Sequence, residues 1–182
     1  GGIDLSVGAV LSLSGAVAAG LLKNGVILSP LAVQLQFTVF GAIVSGLLVG
    51  ATAGWFNGLV ITRFRLPPFV ATLGMFSIAR GLTMLWTGGF PITSLGPQFG
   101  FLGTGVFLGV PMPVWISGSL VALFVVLTRK TRFGRYIYAV GGNERAALLS
   151  GLPVDRIKLG VYTLGGLLAG AAGLIVTARL DS

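Results

Sequence analysis

Long continuous apolar stretches, separated by short polar segments, dominate this chain. Each stretch holds about 20 residues, which is the length of α-helix that crosses a hydrocarbon layer about 30 Å thick. The apolar positions lack the alternation of a membrane β-barrel, so helices are the predicted spanning form. The pattern predicts an all-α, polytopic transmembrane helical bundle with five spans, at residues 5–22, 32–54, 67–86, 110–128 and 159–178.

Composition agrees with a lipid environment. Hydrophobic residues make up 54% of the 182 residues and charged residues only 9%, against about 25% charged residues in a soluble domain. The mean hydropathy of +0.98 leaves too few polar side chains to cover a water-facing surface. We therefore expect an integral membrane protein.

The basic residues indicate how the spans are oriented. Alternation places 55–66 and 129–158 on one side of the membrane, and 23–31, 87–109 and the C-terminal end on the other. The second side holds Lys23 and Arg179, whereas the first holds nine basic residues: Arg63, Arg65, Arg129, Lys130, Arg132, Arg135, Arg145, Arg156 and Lys158. Because cytoplasmic loops are enriched in Lys and Arg, the first side is predicted to be cytoplasmic. The net charge of +8 is then explained by headgroup contacts rather than by nucleic acid.

The residues that the sequence lacks exclude several kinds of catalytic site. It has no His, no Cys and only four acidic residues, so a Ser-His-Asp or Cys-His nucleophile is excluded and a transition-metal cluster is not expected. It also has no G-x-x-x-x-G-K-[ST] phosphate-binding loop. We expect no catalytic residue, no metal site and no cofactor bound by this chain. If its function requires ATP, that ATP must be bound and used by a separate subunit.

The two longest connections differ in composition. Gly and Pro recur in 87–109, which predicts turns and loop. In 129–158, the good helix formers of 144–149 follow Gly141-Gly142 and precede Gly151 and Pro153, which predicts a short helix at the cytoplasmic face. Because an ordinary connection is only a few residues long, this long loop predicts a partner.

Small residues recur at helical spacing in two spans. One set recurs every four residues: Ala42, Gly46, Gly50, Gly54 and Gly58. A second face is predicted from Gly165, Ala169 and Gly173, with Gly166 and Gly170 beside it. Such faces let helices approach closely in lipid. Packing within one subunit is the favoured interpretation, while a dimer interface or a moving contact stays open.

Five polar residues are candidates for lining a solute pathway: Asp4, Ser6, Asn57, Thr72 and Arg80. Asp4 precedes the first span, where a carboxylate caps a helix, although its place after Gly1-Gly2 also fits a broken helix beside a polar pathway. Arg80 lies past the midplane of its span, where it either reaches headgroups or an internal acceptor, or contacts a solute.

Three segments resemble the signatures of one family. They are residues 1–8 (GGIDLSVG), 66–81 (LPPFVATLGMFSIARG) and 131–151 (TRFGRYIYAVGGNERAALLSG). In order and spacing they resemble the ribose/xylose/arabinose/galactose-type permeases of bacterial ABC importers.

The resemblance implies that residues 1–182 are a partial transmembrane permease domain of the bacterial cytoplasmic (inner) membrane, with the first and last spans missing. It implies import of a monosaccharide, a pentose or hexose, by alternating access, with no chemical step in this chain. The implied partners are a cytoplasmic ATP-binding cassette ATPase, a periplasmic sugar-binding protein and a second permease subunit, often an identical one.

The third segment looks like the coupling helix that docks the ATPase in importer permeases. The resemblance implies an ATPase-coupling role for Gly134, Arg135, Gly141, Gly142, Asn143, Glu144, Ala146, Ala147 and Gly151. The segment departs from the strict motif because Arg145 separates the Glu from the Ala pair.

Three other functions stay open. A permease for an amino acid or a signalling molecule belongs to the same class. An ion-coupled secondary transporter is disfavoured because it usually needs an intramembrane carboxylate, and Asp4 is the one candidate. A passive channel would not need the 133–151 loop.

Overall fold

The computed structural model describes residues 2–28 and 33–181, which are mostly helical. The helices are α1 (Val7–Asn24), α2 (Val39–Arg63), α3 (Pro68–Thr87), α4 (Pro97–Thr104), α5 (Met112–Lys130), α6 (Arg132–Gly142), α7 (Glu144–Leu149) and α8 (Val154–Leu180). Two short antiparallel pairs join β1 (Val26–Leu28) to β2 (Val33–Leu35) and β3 (Val106–Phe107) to β4 (Val110–Pro111).

Five of the helices, α1, α2, α3, α5 and α8, are long and apolar enough to cross a membrane. The all-α fold with five spans is therefore confirmed. α1 lies at the centre and contacts α2, α3 and α8. α3 begins where the sequence predicts, because Pro68 occupies the first turn, where a missing N–H leaves no hydrogen bond unmade.

Three predicted span boundaries differ from the helices: both ends of the second span and the start of the fifth. The second span was predicted to end at residue 54, but α2 continues to Arg63. Residues 33–35 form β2, and α2 begins only at Val39, where the Thr38 hydroxyl accepts the Gly41 N–H at 3.2 Å. Residue 32, the predicted start, lies outside the described residues. α8 begins earlier than predicted, at Val154. Asp155 and its charged neighbours belong to the first turns of that helix, where a carboxylate interacts favourably with the positive helix end.

The segment 87–109 is not wholly loop, as its Gly and Pro content predicted, because it contains α4. The Phe99 side chain of α4 is fully buried and packs in a cluster with residues of α1, α2 and α8. Gly103 lies against the backbone of Ala178 and Arg179. Burial of one aromatic residue and close backbone contact thus hold α4 on the end of α8.

Glycine allows α2 and α8 to approach closely. A Cβ on Gly50 would lie 2.9 Å from the Gly170 Cα and would also contact the Gly166 carbonyl oxygen. The predicted interpretation of packing within one subunit is confirmed for this face of α2. The predicted small-residue face of α8 is confirmed at Ala169 and Gly173 and at the neighbouring Gly166 and Gly170, which are buried, whereas Gly165 faces open space.

The charges separate the bundle into two ends. We call the end that holds the start of α1, α3 and α8 the basic end. Asn57, near the end of α2, bonds to Ser6 there, and Phe133 of α6 lies against Gly160 of α8. The nine basic residues predicted to be cytoplasmic belong to helix ends and connections at this end. Lys23 and Arg179 lie at the opposite end.

Candidate functional site

A buried polar network surrounds the start of α1. Ser6 is 1% exposed, and its hydroxyl donates to Asp4 Oδ1 at 2.6 Å. The same hydroxyl oxygen accepts a hydrogen bond of 3.0 Å from Asn57 Nδ2, and Asn57 is 2% exposed. The Asp4 carboxylate also accepts the Ser6 N–H at 2.8 Å, which is a local Asx turn ahead of α1. The predicted cap was wrong, because no side chain accepts an N–H of the first turn of α1.

Thr72 extends this network to α3. Its side chain is fully buried, and its hydroxyl oxygen accepts the Leu5 N–H at 3.1 Å. The hydroxyl also lies 3.4 Å from the carbonyl oxygens of Ile3 and Phe69. The structure thus brings together four of the five predicted pathway residues, and their hydrogen bonds connect α1, α2 and α3.

A cavity of about 560 Å³ opens beside this network at the basic end. Its wall combines the start of the chain with α6, α7 and α8, and its polar side chains are Asp4, Glu144, Lys158 and Tyr162. Glu144 Oε1 lies 2.6 Å from Lys158 Nζ. This ion pair joins α7 to the first turns of α8.

The predicted coupling segment forms two helices at the basic end. The short helix predicted at 144–149 is confirmed as α7, and the Asn143 side chain caps it by accepting the Ala146 N–H at 3.0 Å. Gly151 follows with a φ of +79°, which favours glycine. Ala147 is buried, whereas Leu148 and Leu149 are 61% and 88% exposed.

Sequence reasoning missed α6 and the exposed Leu148-Leu149 pair. α6 begins after Thr131, whose hydroxyl accepts the Gly134 N–H at 3.2 Å. This N-cap was a readable signal. Gly134 is buried, and it packs so closely on the Thr128 backbone that a Cβ at this position would contact it. The remaining predicted coupling residues are exposed: Arg135, Gly141, Gly142, Asn143, Glu144, Ala146 and Gly151.

Arg80 does not join the network around Ser6. It lies eight residues after Thr72 on α3, which is about 12 Å along a helix axis, and it is exposed. It faces a groove between α1 and α3 of about 350 Å³. Within the described residues, no group of three or more His, Cys, Asp or Glu side chains could hold a metal ion.

The fold and the charge distribution define a multi-pass helical protein of the membrane. A sequence model of the family described as "Branched-chain amino acid transport system / permease component" matches residues 1–182. The chain therefore belongs to this family of transport permeases. Its permease relatives and its five apolar helices identify it as a multi-pass integral protein of the inner membrane.

Several relatives are named as sugar permeases. The chain is 47% identical over 184 residues to the ribose import permease protein of Bacillus subtilis (strain 168). It is 44% identical over 185 residues to the ribose import permease protein of Escherichia coli (strain K12). Both alignments include 100% of this chain and 54% of the relative. It is 38% identical over 181 residues to the L-arabinose ABC transporter permease protein of Azospirillum brasilense, covering 100% of this chain and 50% of the relative. The chain thus spans about half the length of these relatives. No solved structure matches.

Proposed function

We propose that the chain forms part of the membrane channel of an ATP-driven importer that moves a monosaccharide into the cytoplasm by alternating access. The observation that carries this proposal is the match, over the whole of this chain, to permeases named for ribose, with arabinose, galactofuranose and allose permeases at 38–39% identity. The family description mentions branched-chain amino acids, but the sugar names of these relatives favour a sugar over an amino acid or a signalling molecule.

The exposed face of α6 and α7 supports an ATPase partner. Leu148 and Leu149 expose apolar side chains at the basic end, next to the exposed polar residues Asn143 and Glu144. A docking surface combines an apolar centre with a polar rim. We assign this face to a cytoplasmic ATPase, and we assign ATP use to that partner, so this chain supplies binding surfaces and motion rather than chemistry or a bound cofactor.

Two contacts provide a route for motion from this face into the membrane. The Glu144–Lys158 ion pair joins α7 to α8, and the glycine contacts join α8 to α2. Because closely packed helices move as units, displacement of α7 is transmitted to α8 and α2. A periplasmic sugar-binding protein and a second permease subunit complete the proposed assembly on the other faces.

The pathway roles of Asp4, Ser6, Asn57 and Thr72 stay predictions. Ser6, Asn57 and Thr72 are buried and bonded to one another or to backbone, whereas Asp4 borders the cavity at the basic end. An ion-coupled mechanism is less well supported, because within the described spanning helices Asp155 is the one carboxylate and it lies in the first turn of α8.

The coupling role is tested by ATP hydrolysis in an assembly of full-length permease, ATPase and binding protein. Sugar-loaded binding protein should stimulate hydrolysis. Gly151→Ala places a side chain at a positive φ, which costs about 1–2 kcal/mol locally, and should reduce that stimulation or the amount of bound ATPase. Glu144→Gln removes the ion pair to Lys158 and should act in the same direction.

The matched control is Gly118→Ala on α5. A Cβ at Gly118 meets no atom within 4 Å, and its φ is not positive, so hydrolysis should be unchanged. Normal ATPase binding and normal stimulation in both the Gly151 and Glu144 variants would refute the coupling role of α7.

A further inference from the structure

Arg80 is placed unfavourably for a residue that faces lipid. It lies 12 residues after the start of α3 at Pro68 and seven before its end at Thr87, so it is roughly 18 Å and roughly 10 Å from the two ends. Its side chain is exposed, and among the described residues it has no hydrogen-bond or ion-pair partner. A charged side chain at this depth is disfavoured in hydrocarbon and normally faces a protein interior or water.

The surroundings of Arg80 are partly open and mostly apolar, with two hydroxyl groups, those of Ser12 and Thr83. We define the Arg80 groove by its lining residues: Gly8, Ala9, Ser12, Phe76, Arg80, Thr83 and Met84. Ser12 also lines a second cavity of about 230 Å³, which continues toward the opposite end of the bundle and includes Thr87 and Asp181. A line of hydroxyl groups therefore runs along one side of α1, past Arg80.

These groups can both donate hydrogen bonds to a hydroxyl-bearing ligand and accept hydrogen bonds from it. The Ser12 hydroxyl donates to the Gly8 carbonyl at 3.1 Å and the Thr83 hydroxyl donates to the Ala79 carbonyl at 2.8 Å. Their donor protons are used, but their oxygen lone pairs remain acceptors. Arg80 supplies up to five N–H donors. A sugar hydroxyl, which both donates and accepts, matches this combination.

We propose that the Arg80 groove is a wall of the solute pathway and contacts a neutral, polyhydroxylated solute during its passage. The inference rests on the proposed import function and adds the site to it. A cationic solute is repelled by Arg80, and a carboxylate would pair with Arg80 and leave slowly. Passage requires contacts weak enough for release, which hydroxyl groups provide. Phe76 and Met84 supply the apolar surface for the sugar ring.

Water access to the groove distinguishes this site from a lipid-facing or helix-covered surface. A thiol reacts as the hydrated thiolate, so Met84→Cys in a full-length, cysteine-free permease should react with a membrane-impermeant sulfonate thiol reagent. The matched control is Leu85→Cys. Leu85 is 82% exposed, against 55% for Met84, but it points about 100° away around the helix and should not react.

Labelling is measured with and without a non-hydrolysable ATP analogue, because alternating access opens each side in turn. The labelled Met84→Cys protein should then lose ATP-driven D-ribose uptake in proteoliposomes, while Leu85→Cys keeps it. No labelling of Met84→Cys in either state, equal labelling of both variants, or labelling without loss of uptake would overturn the proposal. Labelling does not depend on transport, so it tests the groove even if the unmodified complex takes up no sugar. Absence of uptake by the unmodified complex would refute the proposed function and not the water access of the groove.

Arg80 itself is tested by two substitutions in the same complex. Arg80→Met keeps an unbranched apolar stem and removes the charge and the donors, and should lower D-ribose uptake about tenfold or more, as expected for lost hydrogen bonds from a charged group. Arg80→Lys keeps the charge and should retain more uptake. Wild-type uptake by an assembled Arg80→Met complex would contradict direct contact with the solute.

Discussion

At the residue scale, polar side chains at the basic end satisfy one another across helices that are distant in sequence. Ser6 and Asn57 are separated by 51 positions, and Leu5 and Thr72 by 67. The sequence shows these residues as polar positions within or beside apolar runs. It does not show their pairing, because that depends on how α1, α2 and α3 pack. Arg80 was a pathway candidate alongside them in the sequence, and the structure places it in another groove, between α1 and α3.

Asn57→Ala tests the buried network. It removes the hydrogen bond to Ser6 and should lower the free energy of unfolding of the full-length protein by about 1 kcal/mol, since hydrogen bonds between membrane helices contribute modestly. Thermal or detergent unfolding measures the change.

The control lies on the same helix. Thr52 is exposed and its hydroxyl bonds to the Val49 carbonyl of its own helix, so Thr52→Ala should change stability by less than about 0.5 kcal/mol. Equal effects of Asn57→Ala and Thr52→Ala would show that the Ser6–Asn57 bond contributes nothing to stability.

At the element scale, close packing of α2 on α8 is the main helix contact of the bundle. The four-residue spacing of small residues predicted a closely packed face on α2, because side chains at that spacing share one helix face, but it did not predict that α8 covers this face. The spacing did not fix which face of α8 is buried, since Gly165 and Gly166 both fit a small-residue pattern. α4 was missed for a related reason: Gly and Pro indicate turns locally, whereas burial of Phe99 against other helices stabilises this helix.

Gly50→Ala tests this contact. The added methyl group would lie 2.9 Å from the Gly170 Cα, and overpacking of this kind costs about 1–3 kcal/mol. The unfolding free energy should fall by that amount, and the α2–α8 distance measured by paired spin labels should increase.

Gly74→Ala on α3 is the matched control. A Cβ at Gly74 meets no atom within 4 Å, and alanine is favoured over glycine inside a helix by about 0.5–1 kcal/mol. Stability should therefore stay unchanged or rise. A Gly50→Ala protein as stable as Gly74→Ala would contradict close α2–α8 packing.

At the scale of the whole molecule, the charges give the bundle a direction. The basic residues gather at the end that also holds α6, α7 and the cavity of about 560 Å³. The sequence predicted this orientation because few basic residues fall on the other side. It follows that the coupling face of α7, the Ser6 network and the start of α8 all lie at the proposed cytoplasmic end, where an ATPase would act.

The proposed function is ATP-driven import of a monosaccharide through a channel to which this chain contributes. The most direct measurement is D-ribose accumulation in proteoliposomes that contain the full-length permease with its ATPase and binding protein. We predict accumulation that requires ATP on the basic side and persists when proton and sodium gradients are collapsed. No ATP-dependent accumulation of D-ribose, D-allose or L-arabinose, or accumulation driven by an ion gradient without ATP, would contradict the account.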